Sequence, residues 1–458
     1  MLSFGTSSTR DCRGLSRRSL LTVGSLAALG LSWPRVQKVL HAGESSRGSD
    51  PKSIILLWLW GGPSQIDTFD MKPQAPLEYR GPFATIPTNV PGIDVCELFP
   101  RMAKCADLYS IIRTMHTMSN DHGIAGTIGL TGGIGGALSL GGVTMPGRVE
   151  PTQGAIVSRF LNADSQLPGF VAIGGHLHQG KRPIAGEGGG PLGALYDPFR
   201  LDYVEGEGVK LPQLEMSEGL SEDKLGRRMS LLQEFDLQRR GLDRKQKEIE
   251  RLDSFYQQAY SLLTSNSARE VFDLERESPE LRQSYGMSRF GQSCLLARRL
   301  VETGIPFVQV NWSSHVEPTY DGGDGGWDMH DRNFSQMQNW HGWTLDMAFS
   351  GLLTDLADRG MLESTMVVAL GEFGRSPRIN VKSGRDHWEH CYAALVAGGG
   401  MPGGTLIGTS DKYSEYPTSR AYTPSDLNST LLLKLGITTP LLTDLGLVPT
   451  AEPIGGLL

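Results

Sequence analysis

The chain has 458 residues, 39% of them hydrophobic, and a formal net charge of −7 at pH 7. That is enough apolar material for a globular protein of one large domain or two ordinary ones. Residues 1–42 hold six Lys or Arg against one Asp, a surplus of five, so residues 43–458 carry −12. With that acidic balance and no basic stripe to offset phosphate repulsion, a nucleic-acid partner is excluded.

In chain order, Ser16-Arg17-Arg18-Ser19-Leu20-Leu21 comes first, followed by an uncharged, largely apolar run ending near Trp33. Paired arginines before a run too short to span a bilayer comfortably describe a twin-arginine export signal over residues 1–42, with no permanent transmembrane helix expected after cleavage. This places the protein in the periplasm, on the cell surface or outside the cell. Cys12 lies within the signal. Cys96, Cys105, Cys294 and Cys391 remain, spaced unlike any zinc motif; an oxidising compartment would permit disulfides, and buried thiols are the equal alternative.

Ser53 to Trp60 is continuously apolar and stops at Gly61-Gly62-Pro63, which describes a central parallel strand. Leu98, Met102 and Cys105 recur at helical spacing, and Tyr109 to Arg113 is a second strand. The glycine-dense segment Gly123 to Gly154 is either a flexible loop or a place where backbone approaches a ligand, and it lacks a phosphate-loop lysine. From about 214 to 299 the chain is rich in Glu, Arg, Gln and Leu with helical periodicity, a helical insertion with solvated faces. Ile305 to Asn311 is a strand, and Leu345, Phe349, Leu352, Leu353 and Leu356 form one helical stripe closed by Arg359-Gly360. Ser364 to Leu370 and Tyr392 to Ala397 add two strands. The alternation predicts an α/β fold with a mostly parallel central sheet and helices on both faces.

Ligands of such sheets bind outside the carboxyl ends of the strands. The polar groups fall there: Ser64 and Asp67 after the first strand, Asp121 and His122 after the second, Asp328 and His330 after Asn311, and Glu372 and Arg375 after Leu370. Glu372, Asp386, His387 and His390 are residue types that hold zinc, manganese or calcium, and carboxylate with imidazole favours the transition metals. Asp328 and His330, two apart in an extended loop, project the same way. Arg375 and Arg385 suit sulfate, phosphate or carboxylate, so a metal beside arginine points to an oxyanion ester. The competing reading makes ion pairs of Glu372 with Arg375 and of Asp386 with Arg385 or Arg378, which would tie down a long loop. His176 and His178 sit among glycines on a surface loop. His116, His315 and His341 lack a supporting cluster. The expectation is that Asp328, His330, Glu372, Asp386 and His387 share one cleft.

Trp58-Leu59-Trp60-Gly61-Gly62-Pro63-Ser64-Gln65-Ile66-Asp67-Thr68-Phe69-Asp70, Gly371-Glu372-Phe373-Gly374-Arg375 and Gly384-Arg385-Asp386-His387-Trp388 resemble the bacterial domain-of-unknown-function family 1501, from about Lys52 to the C-terminus. That family is generally placed in the alkaline phosphatase and sulfatase superfamily, which implies a parallel sheet between helices and metal-assisted attack on a phosphate or sulfate ester. The sequence departs from the superfamily pattern. Gly61-Gly62 stands where a metal-binding Asp ends the first strand, leaving Asp67 as a displaced candidate. Counting back from Leu130-Thr131-Gly132 to the nucleophile lands on His122, with Thr127 and Ser119 nearby, and there is no Cys-x-Pro-x-Arg signature. Glu372-Phe373 replaces a late Asp-His, and the final histidine is His387 or His390.

Residue chemistry, with Asp67 added by the resemblance, gives a metal set of Asp67, Asp328, His330, Glu372, Asp386 and His387 holding zinc, manganese or calcium. The resemblance adds His122 to the oxyanion-matching Arg375 and Arg385 as a catalytic set, with water or His122 as nucleophile. The function expected is metal-dependent hydrolysis of sulfate or phosphate esters, sulfated glycans among them. The alternatives are a non-catalytic protein that binds anionic glycans and a scaffold whose polar loop is structural.

Overall fold

The computed structural model describes residues 51–162, 167–210, 270–318, 325–447 and 451–458. The expected export signal, and the helical stretch from 214 to 269, lie outside the described residues.

The apolar run after Lys52 is strand β1, Ser53–Trp58, with all six residues buried. Its side chains alternate between two cores: Ile55 and Leu57 join one, Ile54, Leu56 and Trp58 the other. A strand apolar on both faces must be covered on both faces, as in parallel sheets. The sheet's other strands are β2 (Tyr109–Met115), β3 (Phe170–Ile173), β4 (Phe199–Val204), β5 (Gly208–Lys210), β6 (Phe307–Asn311), β7 (Thr365–Leu370), β8 (Tyr392–Gly398) and β9 (Leu406–Ile407). They run in the order β9-β2-β8-β7-β1-β6-β3-β4-β5. β1 pairs in parallel with β6, Ile54 opposite Phe307, and with β7, Ile54 opposite Met366. β8 is antiparallel to both β7 and β2. Two reversals restore direction, so β2, β7, β1 and β6 all end at one edge, and β8 begins there.

The helices α1 (His122–Thr131), α2 (Gln153–Leu161), α3 (Arg289–Glu302), α4 (Gly342–Asp358) and α5 (Pro424–Lys434) divide between the faces. Leu295 and Leu300 of α3 and the whole α4 stripe, Leu345 to Leu356, lie in the core with Ile55 and Leu57. Ile156 of α2 and Leu427 and Leu431 of α5 lie in the other. Burying each such leucine contributes about 1.5–3 kcal/mol. α3 falls at the end of the expected insertion, yet its apolar side is built into the sheet's helical layer.

Two local expectations are corrected. The spacing of Leu98, Met102 and Cys105 gives a 3₁₀ turn, Met102–Leu108, interrupted at Cys105 (φ −125°, ψ 27°), and no α-helix. The glycine-dense segment opens as helix α1, because tryptophans of β1 and its continuation need room. A Cβ on Gly126 would come within 2.8 Å of the Trp60 ring, and one on Gly129 within 2.3 Å of Trp58. At Gly126 and Gly129 the close approach is to tryptophan.

Candidate metal centre

The shared sheet edge receives five segments. β1 runs on to Gly61 and Gly62, whose φ values of 106° and 75° favour glycine. A Cβ on Gly61 would lie 2.4 Å from the Trp327 backbone nitrogen, so a side chain there is also sterically barred. The Trp60 carbonyl accepts from that same Trp327 N–H (2.8 Å), which sets the position of Asp328 after β6. After β2 the chain turns at Asp121, whose carboxylate accepts the Ile124 N–H (3.2 Å) and caps α1; His122 is the first residue of that helix. Gly374–Arg375, following β7, pairs antiparallel with His387–Trp388, leading into β8.

These segments converge on one atom, Oδ1 of Asp328. Nε2 of His330 and Nε2 of His387 each lie 3.0 Å from it, Nε2 of His122 lies 3.3 Å away, and Nη2 of Arg375 lies 2.7 Å away. The ligand atoms of His122, Asp328 and His387 all fall within 4.8 Å of one another. His330 approaches from the more open side, its Nε2 2.9 Å from Nε2 of His387. His122 is fully buried, whereas the His330 side chain is 44% exposed.

Each imidazole is held from behind by an oxygen on its other nitrogen. Nδ1 of His122 lies 2.5 Å from Oε1 of Glu372, Nδ1 of His330 2.9 Å from Oδ1 of Asp386, and Nδ1 of His387 2.6 Å from the Asn120 carbonyl. A carbonyl only accepts, so the His387 proton sits on Nδ1, and carboxylates ask the same of the other two. The three Nε2 lone pairs then face one another and a carboxylate oxygen. That arrangement is repulsive unless a cation or protons lie among them. Nε2 of His122 is buried without a hydrogen-bond partner, which is what a ligand atom looks like when the fold is built around a metal.

In the absence of a metal ion the electrostatics divide the three imidazoles. Burial holds the His387 imidazole down at about 4, against the pull of Asp328, so it is neutral at pH 7. For His122 burial also opposes the charged form, but the neighbouring carboxylates of Asp328 and Glu372 outweigh it and raise the imidazole above its ordinary value. The bond to Asp328 raises His330, with burial opposing. Burial would raise the Asp328 carboxyl, yet Arg375 and the three histidines hold it far below the usual carboxylate range.

Five of the expected residues, Asp328, His330, Glu372, Asp386 and His387, are thus joined in one cluster, with His122 added. Their roles need correction. Glu372 and Asp386 stand behind histidines and do not face the convergence point; Glu372 is fixed there by the Gly61 N–H, which donates to both its oxygens (3.0 and 3.1 Å). Asp67 is elsewhere, in a buried ion pair with Arg385 (Nε to Oδ2 2.6 Å, Nη2 to Oδ1 2.8 Å) that also takes Asn333. Arg385 spends its other donors on the carbonyls of Ser376, Pro377 and Tyr79 and has none left for an anion. Arg375 likewise donates to the carbonyls of Gly61, Gly62 and Arg385 besides Asp328. His122, proposed as nucleophile, is walled by the rings of Trp60 and Phe373 and has both nitrogens directed at carboxylates. The ion pairs of the loop exist, but between other partners than neighbouring spacing suggested.

The remaining histidines stay outside. His390 packs on Trp388 and Tyr416, His176 pairs with Glu187, and Nδ1 of His178 donates to Gly180. His341 is buried, its Nε2–H shared between the carbonyls of Gly325 and Gly326. Thr127 turns its hydroxyl to the Gly123 and Ala185 carbonyls, and Ser119 accepts the Asp121 N–H. The four cysteines are free thiols. Among the described residues no helix is long and apolar enough to cross a membrane. Two participants had no readable signal beyond a turn: the Asn120 carbonyl and the Gly61 amide.

The model of a family described as protein of unknown function (DUF1501) matches residues 51–445. No curated protein matches the chain. Among solved structures, Ps i-CgsB is similar at 11% identity and TM-score 0.42, over 88% of this chain and 75% of that one. The PsFucS1 sulfatase from Pseudoalteromonas sp. is similar at 14% and 0.39, over 93% and 75%. A protein in the alkaline phosphatase superfamily from Vibrio parahaemolyticus is similar at 9% and 0.35, over 86% and 69%. Likeness at this level says nothing of substrate or activity.

Proposed function

The chain belongs to the DUF1501 family, and from that premise we propose that it is an exported, metal-dependent hydrolase of sulfate or phosphate esters. The observation that carries the metal is the meeting of three imidazole Nε2 atoms at Asp328 Oδ1, each ring held from behind through Nδ1. His122, Asp328 and His387 form the inner ligand set, and His330 stands at the open side. Three imidazole nitrogens with one carboxylate oxygen favour a transition metal such as zinc, and disfavour calcium, which takes oxygen ligands. A divalent ion held there supplies Lewis-acid polarisation of an ester oxygen and acidifies a water molecule.

The chain's own groups do the rest. Arg375 holds Asp328 ionised and oriented. Trp60 and Phe373 close the inner side of His122 against solvent. Substrate then arrives over half-exposed His330 and exposed Asp386. With His122 enclosed, water is the attacking group. The ester class rests on the resemblance of the motifs to the phosphatase and sulfatase superfamily. Export rests on the twin arginines at 17 and 18, and places the protein in the periplasm, at the cell surface or outside the cell. Non-catalytic capture of anionic glycans is less favoured, because Arg375 and Arg385, the cations it would use, are committed internally.

The test is metal content by mass spectrometry on protein purified from its native export route, beside Asp328→Ala and His387→Ala variants. Stoichiometric zinc or manganese, lost in both variants, supports the reading and is followed by screening sulfate and phosphate esters. Wild-type protein that takes up no metal overturns it.

A further inference from the structure

The three histidines are backed by three chemically different acceptors. His122 has a buried carboxylate, Glu372, locked by two hydrogen bonds from one Gly61 amide. His330 has Asp386, a carboxylate 61% exposed and also bonded by the Asn380 amide (3.2 Å). His387 has only a neutral carbonyl, that of Asn120. A negative acceptor behind an imidazole fixes its tautomer and raises the basicity of the opposite nitrogen, and it acts more strongly where water does not screen it.

We infer that Glu372 and Asp386 are positioning residues that grade the donor strength of the metal-binding histidines, with His122 the strongest donor because Glu372 is buried and held by Gly61. The inference rests on the metal reading above and goes beyond it in ranking residues that touch no metal themselves. The ranking follows from charge, burial and the 2.5 and 2.9 Å contacts.

The test uses the full exported chain stripped of metal and titrated with zinc against a chromophoric chelator, and with cobalt(II) for its visible spectrum. Glu372→Gln keeps an oxygen that can accept from Nδ1 but removes the charge; Asp386→Asn does the same at the surface. Losses for buried partners of metal-bound histidines run about 10- to 100-fold in affinity. Glu372→Gln should fall near the upper end with a shifted cobalt spectrum in its folded fraction, and Asp386→Asn near the lower end with the melting temperature of the metal-free variant unchanged. A merely structural role would move the melting temperature and leave the cobalt spectrum of the folded fraction as in wild type. Wild-type affinity and spectrum in Glu372→Gln, or a larger loss in Asp386→Asn, overturns the inference. If Glu372→Gln does not fold, Glu372→Asp, which keeps the charge but withdraws it from Nδ1, takes its place: a loss larger than that of Asp386→Asn supports the inference and an equal or smaller one overturns it. Should the wild type bind neither zinc nor cobalt, the functional reading itself has failed, a result distinct from either.

Discussion

Asp67 with Arg385, fully buried, and Asp328 with Arg375, whose carboxylate side chain is 11% exposed, are two carboxylate–guanidinium pairs at the same sheet edge, and they end differently. Around Asp67 both oxygens are taken by Arg385, and the arginine's remaining donors find carbonyls. Around Asp328 a single oxygen gathers one guanidinium and three imidazole nitrogens, one of which has no hydrogen-bond partner. The first pair is closed, so its work is cohesion. The second has coordination left over, and leftover coordination in a buried polar cluster marks a ligand site.

The largest effect is expected at the closed pair. Asp67→Ala leaves the Arg385 charge buried without its partner and should cost about 3–5 kcal/mol of stability, read by chemical denaturation, with metal stoichiometry unchanged in the folded fraction. Lost metal at unaltered stability would erase the distinction between the two pairs.

His341 is a buried imidazole of the closed kind, its Nε2–H satisfied by carbonyls. Burial lowers it to about 4 from an ordinary 6.5. The folded state therefore disfavours its protonation: its contribution is whole above pH 6.5 and is lost as pH falls toward 4, up to about 3 kcal/mol. Asp346, raised to about 6 by burial, has the opposite slope, with stability falling as pH rises from 3.8 to 6. Denaturation at several pH values should show His341→Gln flattening the acid-side loss and Asp346→Asn steepening it; a His341→Gln profile that overlays wild type would remove His341 from the account.

Metal removal addresses the open pair. A chelator should lower wild-type stability by about 2.7 kcal/mol relative to protein at one hundred times its dissociation constant, and should do nothing to Asp328→Asn. Equal sensitivity in both would place the ion elsewhere. The smallest effect belongs to exposed His176, where Ala should change stability by less than about 0.5 kcal/mol and leave metal content alone; a loss of metal there would mean that a second set of donors exists.

Much of the fold was legible because burial writes periodicity into sequence. The unbroken apolar run of β1 and the α4 stripe both mark surfaces covered by neighbours. The site was legible by residue type and by its place after strands. Pairing was not, because Glu372 finds His122 across 250 positions and Arg385 finds Asp67 across 318, and nothing in local spacing encodes either choice. Backbone partners were further out of reach: Asn120 acts through a carbonyl every residue possesses, and Gly61 through an amide whose importance shows only in its φ and in the absence of room for a Cβ.

The reversed strand β8 has a consequence for assembly in time. It carries His387 to the edge where β1, β2, β6 and β7 finish, and it does so from the last fifth of the chain. A growing polypeptide that has already made His122 and Asp328 still lacks a complete ligand set until β8 inserts between β7 and β2. Such long-range pairing is the slow part of forming a sheet. An ion bound at the proposed site would therefore report that the sheet has closed, and loading it would inspect the folding by the same act.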